Sequence, residues 1–239
     1  MDDYYEQERT LHEYLGFHYP DGDPMAALLG ERTPPLSERF PFAIRELWEP
    51  RPDGLALDVG AACGRMTLEL AADYRYAIGL DLSKSLVRGA ERVRREGRAR
   101  YNSLVEGDIY LTHDVEVPCA GNAAFLVADA GVLPFSDGVF DTVIALNLID
   151  RVPDPVAVVD ELSRLVRPGG ILIVASPFTW LPEFTRRENW MVGVETLRSK
   201  LDAGFDVDEA RRMPFFIPHH ARTGQLGVSI VVRARKRRS

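Results

Sequence analysis

From about residue 54 to 178 the chain repeats one pattern, and that pattern limits the folds open to it. Short apolar runs (Leu55–Val59, Tyr76–Leu80, Phe125–Ala128, Thr142–Leu146 and Ile171–Ala175) alternate with helical stretches. Thr67–Ala72 reads as a helix. So does Ser83–Glu96, with Ser83 as a plausible N-cap, and so does Pro155–Val166, with proline in its first turn before the Pro168-Gly169-Gly170 turn. Continuously apolar strands separated by helices indicate a parallel sheet covered on both faces. One connection departs from the pattern: Tyr101–Val117 alternates around a Gly-Asp pair and reads as an inserted hairpin before the third strand. Its expected place is the sheet end away from a ligand, with a packing or subunit-contact role. Near the C-terminus, Pro214–Ile217 and Val228–Val232 read as a final antiparallel pair. The loop 218–227 between them is expected to open on the side where the parallel strands end.

Residues 1–50 differ in texture. They are aromatic, acidic and proline-rich, and they read as an arm or lid leading into domain 51–239. A helix carrying Phe42, Ile44, Leu47 and Trp48 closes the arm. The opening Met1-Asp2-Asp3-Tyr4-Tyr5 has neither a basic nor an apolar region, so no secretory leader is expected. No apolar run approaches the ~20 residues of a membrane span. Two cysteines, Cys63 and Cys119, make no disulfide framework, and a reducing cytoplasm is the expected setting. A formal charge of −7 argues against a nucleic-acid partner. The basic run Arg233–Arg238 reads as a solvated tail.

Ligands of open parallel sheets sit beyond the carboxyl ends of the strands. The first strand ends in Asp58-x-Gly60-x-Ala62-x-Gly64, a run of small residues that lets backbone approach a ligand and turn into a helix. Asp81, ending the second strand and followed by Leu82, can accept hydrogen bonds from two ribose hydroxyls. Asp129, with Ala130 after it, ends the third strand and can meet an adenine; its plainer role is a turn or helix cap. A dinucleotide fingerprint beginning at Gly60 needs a small residue at position 65, which is Arg65. S-adenosylmethionine, which lacks a pyrophosphate, suits the alternating spacing better.

Together with Leu133–Asp137 and Phe140-Asp141, these residues resemble the class I methyltransferases, with Ala62 a departure from their usual glycine. The resemblance implies a Rossmann-like, seven-stranded α/β sheet and S-adenosylmethionine as cofactor, bound by Asp58, Gly60, Ala62, Gly64, Asp81, Leu82, Asp129, Ala130 and Asn147. Asn147-Leu-Ile-Asp150-Arg151, Ser176-Pro-Phe178-Thr-Trp180, Phe17-His18-Tyr19 and Ala221-Arg222-x-x-Gln225 carry it further. They resemble the 4-mercaptohistidine (5-thiohistidine) N1-methyltransferase family, which includes the C-terminal domain of ovothiol synthases. Pro20 and Pro218-His219-His220 depart from that pattern. The implied reaction is methylation of an imidazole nitrogen on a thiohistidine-type amino acid or its selenium analogue, by a monomer or homodimer.

Under that resemblance Asn147, Asp150, His18 and Tyr14 are the catalytic candidates, and Tyr19, Arg151, Phe178, Trp180 and Arg222 the substrate-binding ones. Each has a plainer alternative. Asp150 and Arg151 can hold an amino acid's charged groups or simply pair with each other. His18 can act as a base or be a core histidine. Phe178 and Trp180 can stack on an imidazole or fill a core. His219-His220 suggests a metal, but adjacent residues rarely both ligate one ion, and no metal is expected. Another small-molecule acceptor, or a non-catalytic S-adenosylmethionine-binding protein, remains open.

Overall fold

A computed structural model gives the fold. It describes residues 2–30 and 33–238; Met1, where the leader reading begins, lies outside them. Three helices form the arm: α1 (Asp2–Glu6), α2 (Glu8–His18) and α3 (Pro24–Leu29), the last capped by the Asp23 side chain. The alternating region follows as β1 (Arg51–Val59), α4 (Arg65–Asp73), β2 (Tyr74–Asp81) and α5 (Lys84–Glu96). After a hairpin, β3 (Arg98–Glu106) and β4 (Ile109–Glu116), come β5 (Ala123–Val127), β6 (Phe140–Leu146), α6 (Pro155–Leu165) and β7 (Val166–Ser176). The chain ends with α7 (Val194–Leu201), β8 (Phe205–Val207), β9 (Arg211–His220) and β10 (Thr223–Lys236).

The main sheet runs β5-β2-β1-β6-β7-β10-β8, with β10 antiparallel to β7 and to β8. Its strands carry side chains alternately to two apolar layers, as a period of two requires. Ala56, Ile144 and Ile173 face the arm, α4 and α5. Leu57, Val143 and Leu172 face α6 and α7. Ser83 caps α5 by accepting from the Leu86 N–H at 3.1 Å. No described helix is long and apolar enough to cross a membrane.

Four details correct or complete the expectations. The seventh position, at the sheet edge, belongs to β8, a three-residue element too short to show a period. The expected final pair does form, but β9 lies off the main path and pairs only with β10. The expected 218–227 loop is mostly strand: His220 pairs with Thr223, leaving a turn at Ala221-Arg222. The inserted hairpin is not confined to the far sheet end. A strand of nine residues is about 30 Å long, so β3 runs beside α2 and reaches the β9–β10 turn, where the Ala221 N–H donates to Leu104 O at 2.8 Å.

Candidate active site

Strand order reverses between β1 and β6, and the loops after these strands meet there. Gly60 (φ 78°) and Gly64 (φ 82°) take left-handed backbone, and so does Ala62 (φ 46°), at a cost on the order of 1–2 kcal/mol for a residue with a Cβ. The Gly60 and Ala61 N–H groups both donate to Leu80 O at 2.8 Å, and Ala62 N–H donates to Asp81 Oδ2 at 2.9 Å. A Cβ on Gly64 would lie 2.4 Å from the Phe125 ring, so this glycine is also fixed by packing.

Asp81 fits the expected ribose acceptor. Oδ1 accepts from Ser83 N–H and Oδ2 from Ala62 N–H, both at 2.9 Å. A carboxylate oxygen has two lone pairs, so each keeps one for a hydroxyl. Burial raises the Asp81 pKa, while the backbone donors oppose the rise. Beyond it Leu82 is 64% exposed and Val132 83% exposed, apolar surface in the loops that follow β2 and β5. Asp129 is exposed and caps its own turn, accepting from Gly131 N–H at 2.8 Å. Asp58 lies beneath the loop, not on it. It is buried, accepts from Thr67 Oγ1 at 2.7 Å, and burial pushes its pKa up to about 7.

The loops after β6 and β7 form a second cluster. Asn147 (φ 55°) accepts from Ser229 Oγ at 2.8 Å, and Leu148 covers Gly60. Asp150 is fully buried. Its Oδ2 accepts from Arg151 Nη1 at 2.7 Å and from Thr179 N and Oγ1 at 3.2 and 3.1 Å, while its buried Oδ1 has no partner. Arg151 also donates to Thr179 O and Thr179 Oγ1 at 2.9 and 3.0 Å and stacks on Phe184 at 5.5 Å. Among the described residues no hydrogen bond engages its Nε–H. Phe178 (φ 51°) and Trp180 sit in an aromatic group with Trp190, and Trp180 and Trp190 stack at 6.4 Å.

The arm closes over both clusters. Ser83 Oγ donates to Tyr5 O at 2.9 Å, and the Glu6 carboxylate accepts from Lys84 and Ser85 N–H at 2.8 and 3.2 Å. Tyr5 and Tyr14 meet edge-on at 6.1 Å, and burial raises both phenols. Three expected roles change here. His18 is buried, its Nδ1 accepts weakly from Arg65 N–H at 3.4 Å, and desolvation drives its pKa down to about 3. With Nδ1 accepting, Nε2 carries the proton, so this ring is poorly suited to act as a base near neutrality. Tyr19 is 1% exposed and donates to Cys63 O at 3.0 Å, which makes it a strut under the glycine loop. Arg222 sits on the β9–β10 turn, paired with Glu106 of the hairpin at 3.3 Å, and lies outside the cluster. Tyr5, Thr179 and Ser229 were not anticipated as site residues.

Residues 57–174 match the family model described as a methyltransferase domain. The chain carries a class I, S-adenosylmethionine-dependent methyltransferase domain. It is 33% identical over 125 residues to 2-methyl-6-phytyl-1,4-hydroquinone methyltransferase of Synechocystis, covering 52% of this chain and 32% of that one. Demethylmenaquinone methyltransferase of Beutenbergia cavernae is 32% identical over 134 residues, 55% of this chain and 45% of the relative. The matches thus span about a third to a half of these relatives. A solved S-adenosylmethionine-dependent methyltransferase from Methanosarcina mazei superposes with a TM-score of 0.58 at 23% identity, over 82% of this chain and 98% of that one. That likeness is one of fold, and the matched family segment ends before Ser176.

Proposed function

We propose that this chain transfers the methyl group of S-adenosylmethionine to a ring nitrogen of an imidazole amino acid of the 5-thiohistidine type, with sulfur or selenium on the ring. The observation that carries the reading is the fixed Asp150–Arg151–Thr179 clamp beside the glycine loop. An arginine locked by a buried carboxylate presents a donor suited to an amino acid's carboxylate. A hydroquinone offers no carboxylate to meet it. Asp150 is then a positioning residue, because its burial keeps it from the acceptor.

The bound cofactor supplies an electrophilic sulfonium methyl. The protein's part is to hold the acceptor nitrogen in line with it and to exclude water. Ser229 donates to Asn147 Oδ1, which commits the amide oxygen and leaves the amide N–H groups to serve the acceptor. Tyr5 and Tyr14, held neutral by burial, close the site from the arm, and Phe178 gives a ring an apolar neighbour. A neutral imidazole nitrogen attacks with its own lone pair, so His18 is not needed as a base.

The names of the relatives supply a second reading, methylation of a hydroquinone. Mass spectrometry of the chain incubated with S-adenosylmethionine and, separately, 5-thiohistidine, histidine and a simple hydroquinone distinguishes the two. One methyl added to thiohistidine, on nitrogen, is expected. Methylation of the hydroquinone alone overturns the imidazole assignment.

A further inference from the structure

A cavity lies on the far side of α2. At 100° per residue, Leu11, Tyr14 and His18 point one way and meet the glycine-loop region, where Leu11 O lies 4.0 Å from Cys63 Sγ. Arg9, His12, Glu13 and Gly16 point the other way and line a cavity of about 530 Å3. Its other walls are the β3–β4 and β9–β10 hairpins and the segment leading into α3. The walls are tied to one another: Asn102 N–H donates to His12 Nδ1 at 2.7 Å, Asp21 N–H donates to Tyr101 Oη at 3.0 Å, and the two hairpins join through Leu104 and Ala221.

The volume falls in the range of small-molecule pockets, which combine apolar and aromatic walls with a few converging polar groups. Tyr101, Tyr110, Leu111 and Phe216 supply the walls here, and Tyr101 is itself stacked on His113 at 4.6 Å. Four of the chain's five histidines, His12, His113, His219 and His220, line this one cavity. Glu13 projects from α2 with its side chain 11% exposed, accepting from Arg9 Nε at 2.9 Å and lying 3.3 Å from His219 Nδ1. With histidine counted neutral, Glu8, Glu13 and Asp21 outweigh Arg9 among the lining residues. An anionic ligand is therefore disfavoured. A positive charge gains from the carboxylates and from the aromatic faces.

We propose that this cavity binds a small aromatic amine in its cationic form, at a site separate from methyl transfer, with Glu13 meeting the ammonium and the exposed Tyr110 of the β3–β4 hairpin meeting the ring. The test is calorimetric titration of the full chain with tyramine and with its anionic counterpart 4-hydroxyphenylacetate. Saturable tyramine binding is expected, with the acid at least tenfold weaker. Glu13→Gln, which keeps volume and removes charge, should weaken tyramine at least tenfold. Should that variant fail to fold, Tyr110→Ala on the exposed hairpin should weaken it several-fold. Asp81→Ala should leave it within twofold. No saturable tyramine binding at millimolar concentration, equal affinity for the acid, or loss of binding in Asp81→Ala would overturn the proposal. So would unchanged affinity in a folded Glu13→Gln protein. None of these outcomes depends on which acceptor is methylated.

Discussion

The glycine loop and the Asp150–Arg151–Thr179 clamp lie side by side at one end of the sheet, yet they are built from different materials. The loop is made of backbone: left-handed turns at 60, 62 and 64, peptide groups donating to Leu80 O, and one carboxylate, Asp81, holding Ala62 and Ser83. The clamp is made of side chains from separate segments. Asp150 and Arg151 follow β6, Thr179 follows β7, Phe184 lies further along that loop, and Tyr5 comes from the arm. A backbone site tolerates wide sequence change if a few small residues and one acid remain. A side-chain site changes its ligand with each substitution. The family match, residues 57–174, spans the loop together with Asp150 and Arg151; of the clamp it leaves out Thr179, Phe184 and Tyr5.

Breaking the two sites should therefore have unlike consequences. Asp150→Ala removes the buried partner of Arg151, and losing one half of a buried pair costs about 3–5 kcal/mol. Urea denaturation should show that loss as a lower midpoint at unchanged slope. A cost under 1 kcal/mol would mean the clamp is wetter and looser than its geometry indicates. Asp81→Ala should act on ligand first, raising the dissociation constant of adenosylhomocysteine roughly hundredfold, about 2.8 kcal/mol at about 1.4 kcal/mol per tenfold. Calorimetry measures it. Unchanged affinity would remove Asp81 from the cofactor site.

His18 packs beside the glycine loop at Arg65, and its burial gives the chain a pH signature. Its folded pKa, lowered to about 3, lies below the ordinary 6.5, so the unfolded chain takes up the proton first. The stability it contributes is present above pH 6.5 and is lost as pH falls toward 3, at about 1.4 kcal/mol per pH unit in that window. His18→Asn should flatten that part of the stability–pH profile measured by urea melts. A profile as steep as the parent's would assign the loss to carboxylates.

The parallel strands, the Ser83 cap and the Gly60–Asp81 pair could be read in the sequence because each depends on local chemistry: apolar runs, a capping hydroxyl, small residues before a helix. Side-chain direction could not. Phe17-His18-Tyr19 is one short string, yet it sends His18 to Arg65 N–H, Tyr19 to Cys63 O and Phe17 into the arm's core, since neighbouring helix positions differ by 100°. Tyr5 gave no signal because the Tyr4-Tyr5 pair sits among acidic residues with no apolar period to show which ring turns inward. The reach of β3 and β9 was hidden as well, since polar hairpin ends such as Pro218-His219-His220 read as loop until a partner strand is known.

Arg222→Ala gives the smallest expected effect and sharpens the boundary of the acceptor region. In the sequence Arg222 is the second candidate, after Arg151, for holding an acceptor's carboxylate. In the fold it is 62% exposed and paired across a turn with Glu106, itself 71% exposed. Exposed pairs of this kind contribute little, so stability should stay within about 0.5 kcal/mol of the parent. Steady-state kinetics with the acceptor should show KM and kcat both unchanged, whereas Arg151→Ala raises KM. If Arg222→Ala raised KM more than about fivefold, the β9–β10 turn would have to swing from the hairpin to the strand ends during turnover. The acceptor region would then extend to the tip that Leu104 and Ala221 hold together.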